Sequence, residues 1–223
     1  VEAGTVVLSF SHVERKQMEF FWALLVVAAF VLMGAIALAQ VGTVLHSRYK
    51  ACHESGHAVV AWVSPDVSCV KFATIVQDPN CGMVGGAVYC LFGMPPADVG
   101  RRYWEMLVVD MGGIAAEMMV NRKIKPFGAI FDLAKGSVRA EILIKDHSDL
   151  VLPPSPKGCP RIDFHNLWPD LGDGVDDVLN RAFAEATARI TARRQDFDRL
   201  REDLYLRQFL SEDDMRVYLG PRP

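Results

Sequence analysis

His53-Glu54-Ser55-Gly56-His57 places two imidazoles four residues apart with a carboxylate beside the first. On a helix, positions i and i+4 lie on one face, so both rings can reach a single metal ion. The ion these donors suit is Zn²⁺, and Glu54 would then stand beside it as a general base for an activated water. This HExxH pattern predicts metal-assisted hydrolysis. The flanks support a helix: Tyr49-Lys50-Ala51-Cys52 leads in, and Ala58-Val59-Val60-Ala61-Trp62-Val63 continues apolar until Ser64-Pro65 stops it.

A catalytic zinc site takes a third protein ligand and keeps one position for water. Asp110, Glu117, Asp132, His147 and His165 are the candidates. Glu117 and Asp132 are the stronger pair, each on or beside an apolar helical stretch. His147 and His165 fall in or near the proline-rich segment 150–169 and read as surface loop residues. Spacing alone does not choose between Glu117 and Asp132.

These residues need a scaffold, and the composition supports one. Of the 223 residues 51% are hydrophobic and 23% charged, which suits a core-forming chain. The formal net charge of −3 leaves no basic excess for a phosphate backbone, so no nucleic-acid partner is expected. Five cysteines without a CxxC pair argue against a disulfide framework and against an all-cysteine zinc site. No GxxxxGK[ST] stretch for binding nucleotide phosphates occurs in these residues.

The fold expected is mainly α with a small β-sheet (α+β). The zinc helix spans residues 48–66, and 67–89 reads as β-rich, with Val70, Phe72, Thr74 and Val76 at alternating positions. Gly82, Gly85 and Gly86 mark turns or a close backbone approach, and an exposed strand edge there could hold an extended peptide. Pro95-Pro96 opens a helical region running through Asn121, residues 123–127 read as a loop, and 132–146 is helical again. Val178, Leu179, Ala182, Phe183, Ala186 and Ile190 form one stripe continuing through Phe197, Leu200 and Leu204, which predicts a single long helix. Ser211-Glu212-Asp213-Asp214 caps a last short helix closed by Gly220 and Pro221.

Upstream, Phe20 to Ala39 carries no charge over a length of about 20 residues, enough for one transmembrane helix. The expected division is 1–47, tail and membrane helix, and 48–223, a zinc peptidase-like domain. Flanking charges do not orient the span, because Arg15 and Lys16 before it balance Arg48 and Lys50 after it. Unpaired cysteines point to the reducing side of the membrane: cytosol, or matrix or stroma in an organelle. Val41 and His53 are twelve steps apart, at most ~43 Å extended and ~18 Å as helix, so the zinc is expected near the membrane surface.

Four segments resemble the peptidase domain of the FtsH family of membrane-anchored zinc metalloproteases. HESGHAVV, residues 53–60, is similar to the family's HEAGHAVV helix. Phe72-Ala73-Thr74-Ile75-Val76 with Pro79 and Gly82 resembles its TI-x-P-R-G strand and turn. Gly112-Gly113-Ile114-Ala115-Ala116-Glu117 resembles GGRAAE, and Gly128-Ala129-Ile130-Phe131-Asp132-Leu133 resembles GA-x-x-D-L. The resemblance covers roughly 49–220. It implies that His53, His57 and Asp132 hold Zn²⁺, that Glu54 is the catalytic base, and that Glu117 is a structural or supporting acid.

Three departures stand out. Ile114 replaces the family's usual arginine, Gly136-Ser137 replaces Ala-Thr, and 149–173 is richer in proline. These residues also contain no counterpart of the family's AAA+ ATPase module. The expected activity is therefore a membrane-anchored zinc metalloendopeptidase acting, without ATP by itself, on unfolded or membrane-associated polypeptides. A separate unfoldase or membrane complex, membrane lipid and other copies in an oligomer are the expected partners. The alternative is a non-catalytic, structural subunit of a larger membrane complex that retains its zinc site.

Overall fold

The computed structural model describes residues 32–33, 43–76, 86–93, 98–156 and 158–222. The chain divides into two compact units, 1–45 and 46–223. In the first, the described residues 32–33 and 43–45 are helical. The rest of the apolar stretch 20–39 lies outside the described residues. Among those described, no helix is long and apolar enough to cross a membrane.

The second unit is mainly helical with a small antiparallel sheet. Its first helix, α1, occupies residues 46–63, and every residue from Ala51 to Trp62 is buried. The helix ends where expected, with Ser64 N–H bonded to the Ala61 carbonyl and Pro65 following. Strand β1 (Val67–Thr74) lies between β2 (Ala87–Phe92) and β3 (Phe209–Ser211). The alternation expected through Val76 gives way to two register shifts, between Val67 and Cys69 and between Val70 and Phe72. An extra residue at a bulge exchanges the two faces of a strand. Val70 and Ala73 therefore point to the core, while Phe72 sits on the outer face between Tyr89 and Phe209.

Helix α2 (Val99–Asn121) begins at an Asp98 cap whose side chain accepts from Arg101 N–H. Pro95-Pro96 lies outside the described residues. Helix α3 (Pro126–Asp146) starts six residues before the expected Asp132, with Pro126 in its first turn and therefore compatible with helix. The expected long helix is two, α4 (Val175–Ala192) and α5 (Arg194–Arg207), separated by a non-helical Arg193 at φ −118° and ψ 29°. The stripe survives the break, because Phe197, Leu200 and Leu204 remain fully buried. Helix α6 (Glu212–Leu219) has a capping box, with Ser211 and Asp214 bonding reciprocally and Gly220 closing the far end.

Helix α2 is central, packing against both α3 and α4. Trp62, Phe164, Phe183 and Phe197 are the largest fully buried rings. The proline-rich segment is held to this core by Phe164, which meets Phe183 edge-on at 6.4 Å, and by Asn180, which bonds both the N–H and the carbonyl of Ile162. At the departure Gly136, a Cβ would stand 3.1 Å from Met111, 3.2 Å from Leu107 and 3.3 Å from Leu179. Larger apolar ends fill the space a methyl group would take. Ile114, in place of the family's arginine, is fully buried in the core.

Candidate metal centre

Two glycines bring the site together. A Cβ on Gly56 of α1 would overlap the Gly112 carbonyl of α2 and lie 2.6 Å from Ala116 Cβ. A Cβ on Gly112 would lie 2.9 Å from the Gly56 carbonyl oxygen. The two helices thus touch backbone to backbone, which only glycine permits. Gly113 extends this floor beneath the imidazoles: a Cβ there would be 2.5 Å from His53 Nε2 and 2.6 Å from His57 Nε2.

Above that floor His53, His57 and Asp132 converge, one donor atom from each within 4.8 Å of the others and all three residues buried. His53 Nε2 is 3.1 Å from His57 Nε2. Asp132 Oδ2, delivered by α3, lies 2.9 Å from His53 Nε2 and 3.1 Å from His57 Nε2. The outer nitrogens are committed elsewhere. His53 Nδ1 donates to Glu117 Oε1 at 2.8 Å and His57 Nδ1 to the Val109 carbonyl at 2.7 Å. These acceptors fix the tautomer with a proton on Nδ1, so both Nε2 lone pairs face each other and a carboxylate oxygen. A convergence of two lone pairs and an anion calls for a cation, and nitrogen plus carboxylate donors suit zinc. The donor set fits a metal.

The electrostatics agree. Burial works to lower the His53 pKa, but hydrogen bonds to Asp132 and Glu117 outweigh it and hold the pKa up at about 10, so Nε2, the position a metal would take, binds a proton readily in the metal's place. Burial works to raise Asp132, yet the charge and hydrogen bonds of His57 and His53 keep it well below the usual carboxylate range. In each case the cluster favours positive charge at its centre. Burial raises the Glu54 pKa, opposed by the charges of the two histidines. Its carboxylate lies against the start of β2: a Cβ on Gly86 would be 2.7 Å from Glu54 Oε1. Lys135, on the turn of α3 after Asp132, places Nζ 4.0 Å from Asp132 Oδ1.

The remaining candidates are elsewhere. Asp110 pairs with the Arg139 guanidinium of α3. His147 caps the C-terminus of α3 and packs on Gly100, while His165 is exposed in a short turn of 3₁₀-helix. Glu117 is fully buried and is the support of His53. Its other oxygen, Oε2, accepts from Lys125 N–H at 2.7 Å and from Tyr49 Oη at 3.0 Å, and the same hydroxyl lies 2.5 Å from the Lys123 carbonyl. Sequence reading did not single out Tyr49 as a site residue, although it lies four residues before His53 and so on the same helix face. Val109 acts through its carbonyl, and Cys52, beside the motif, has its thiol pushed up to about 12 by burial.

No protein-family model matches the chain. It is 30% identical over 187 residues to "ATP-dependent zinc metalloprotease FtsH" of Mycobacterium leprae, covering 75% of this chain and 23% of that protein. It is 28% identical over 193 residues to "ATP-dependent zinc metalloprotease FTSH 3, mitochondrial" of Arabidopsis thaliana, covering 80% of this chain and 23% of the relative. For "ATP-dependent zinc metalloprotease FTSH 8, mitochondrial" of Oryza sativa the figures are 26% over 190 residues, 80% and 22%. The chain thus spans under a quarter of the length of these curated relatives. Across some three quarters or more of its own length, this chain is a distant homologue of the FtsH zinc metalloproteases.

Proposed function

We propose that this chain is a zinc endopeptidase that hydrolyses peptide bonds of unfolded or membrane-associated polypeptides. The observation that carries the reading is the convergence of His53 Nε2, His57 Nε2 and Asp132 Oδ2 beside the buried carboxylate of Glu54. His53, His57 and Asp132 would hold Zn²⁺. When bound, the metal supplies Lewis acidity, polarising a water and the scissile carbonyl and stabilising negative charge on the oxygen. Glu54 takes the proton of the attacking water on its carboxylate and passes it to the leaving amine. Glu117 and the Val109 carbonyl hold the imidazoles in the tautomer that leaves each Nε2 without a proton.

The substrate is extended. β2 is an edge strand of the described sheet, and Gly86, the residue just before it, lies against Glu54. A polypeptide can add there as a further strand, which is open to loose chains and closed to folded ones. The apolar stretch 20–39 anchors the protein to a membrane with the peptidase unit on the reducing side. None of this chemistry consumes a nucleotide, so hydrolysis of a loose chain proceeds without ATP. Folded substrates need an unfoldase, and assembly into an oligomer would place several sites around one.

The test is cleavage of a permanently unfolded model protein by the detergent-solubilised chain beside Glu54→Gln, with zinc determined in both. Cleavage by the wild type only, with one zinc in each, supports the reading. Zinc in both and cleavage by neither favours the structural-subunit alternative. Degradation of tightly folded substrates by the purified chain alone would overturn the requirement for an unfoldase.

A further inference from the structure

The outer face of the sheet carries an aromatic ladder one ring wide and three strands long. Tyr89 of β2 is the direct cross-strand partner of Phe72 of β1, their rings 5.6 Å apart and 12° from parallel. Phe72 in turn meets Phe209 of β3 at 5.7 Å and 27°. The two ends of the ladder are open, with Tyr89 50% and Phe209 48% exposed. Leu91, two residues beyond Tyr89 on the same face, is 41% exposed and extends the apolar strip along β2.

The strand that ends the ladder is an edge strand among the described residues. Sheet edges are usually guarded by charge or proline. β2 reads Ala87-Val88-Tyr89-Cys90-Leu91-Phe92, with neither, and β1 is its only strand neighbour among the described residues. Three residues before Tyr89, the backbone at Gly86 lies against the Glu54 carboxylate, and no side chain could stand between them. A strand added to β2 would therefore run from the proposed base to the aromatic ladder, about 10 Å along the pleat. A second copy of this chain on the same edge would cover the approach to Glu54. The extended substrate is the occupant that uses both features.

We infer that Tyr89 is a specificity-determining residue: a polypeptide added antiparallel to β2 is held best when an aromatic or bulky apolar side chain falls opposite Tyr89, about three residues N-terminal to the bond beside Glu54. This rests on the endopeptidase reading and adds a side-chain preference to it. In an antiparallel pair the residue facing Tyr89 lies on the same face of the sheet, so its side chain becomes the fourth rung of the ladder. Aromatic cross-strand pairs of this kind are worth about a five-fold preference over a small polar residue.

The experiment uses one parent peptide, small and polar except at a single position that carries Phe or Ser, with the cleaved bond located by product mass. The zinc-loaded full chain should cleave the Phe peptide about five-fold faster in kcat/KM when that residue is about three before the cut. Tyr89→Ser should bring the ratio to about one, with zinc content unchanged. Phe209→Ser, one strand further from the substrate, should keep the wild-type ratio. Equal cleavage of the two peptides by wild type, or a ratio that survives Tyr89→Ser, overturns the inference. The same peptides are titrated against zinc-loaded Glu54→Gln by fluorescence anisotropy, which reads the preference without turnover. If the wild type cleaves neither peptide but binding retains the five-fold difference, the endopeptidase reading fails and the subsite stands. Equal binding overturns the subsite. A dimer by sedimentation that Tyr89→Ser converts to monomer also overturns it, giving the edge to a second copy.

Discussion

Glu117 Oε1 accepts a hydrogen bond from His53 Nδ1 at 2.8 Å, while Glu117 Oε2 is held by Lys125 N–H and Tyr49 Oη. One buried carboxylate thus joins the loop between α2 and α3 to a metal-donor ring on α1. Glu117→Gln keeps the shape but removes the charge and presents an amide where two donors converge. Zinc affinity should fall about 10–100-fold, the usual effect of losing such an outer partner. Competition against a chromophoric chelator measures it. Unchanged affinity would show that the Glu117 contact does not position His53.

Tyr49→Phe deletes one of the donors to Glu117 and leaves Lys125 N–H in place. The expected loss of zinc affinity is smaller, about three- to ten-fold, because an intact carboxylate still faces His53. In the double variant with Glu117→Gln the Tyr49 effect should largely vanish, since the two residues act through one contact. Full additivity would separate them.

Gly56→Ala and Gly136→Ala make opposite demands of similar helices. Helix propensity alone favours alanine by up to about 1 kcal/mol. At Gly56 the new methyl meets rigid backbone of α2, so urea unfolding should show a loss of about 3 kcal/mol and weaker zinc binding. At Gly136 it meets the flexible end of Met111 at 3.1 Å and two leucine methyls, and the net change should stay within about 1 kcal/mol. Equal effects at the two sites would contradict the backbone contact between α1 and α2.

Glu105 contributes a pH dependence of stability away from the metal centre. It is buried, with Oε2 2.7 Å and Oε1 2.9 Å from the Arg189 guanidinium and a short bond from Ser64 Oγ. Burial works to raise its pKa, but Arg189 and Ser64 together bring it below the ordinary 4.5. A depressed carboxyl contributes stability above its unfolded pKa and loses it as pH falls through the folded value. Glu105→Gln should therefore cost about 3 kcal/mol at pH 7, and the gap to wild type should narrow below pH 4.5. Urea melts of both proteins between pH 7 and pH 3.5 test this; a constant gap would assign the loss to packing instead.

Different parts of the fold were legible for different reasons. The α1 helix is readable because an i,i+4 histidine pair, a continuous apolar flank and a terminating Ser64-Pro65 all agree. The α4–α5 break was not, since Arg193 is neither glycine nor proline and the apolar stripe continues in phase across it. The bulges of β1 carry no glycine or other marker, so the alternation of Val70, Phe72, Thr74 and Val76 does not reveal that Phe72 leaves the face of Val70. β3 is three residues long and has no pattern to detect. At the site, spacing left Glu117 and Asp132 tied, because each approaches from a different helix whose angle only the packed core sets. Resemblance to a known family favoured Asp132, and the structure brings its Oδ2 beside both Nε2 atoms.

The sheet beside the metal centre is closed by a strand made late. Thr74 at the end of β1 bonds through its hydroxyl to the Gln208 carbonyl, 134 residues away in sequence. At ribosomal speeds of about 5–20 residues per second, β1 waits on the order of 10 s for β3 to appear. Asp132, the last of the three donors, emerges well before that. Until β3 appears, one flank of β1 is unpaired, a template for association with other chains. The donors of the metal centre are thus made well before the sheet beside it can close.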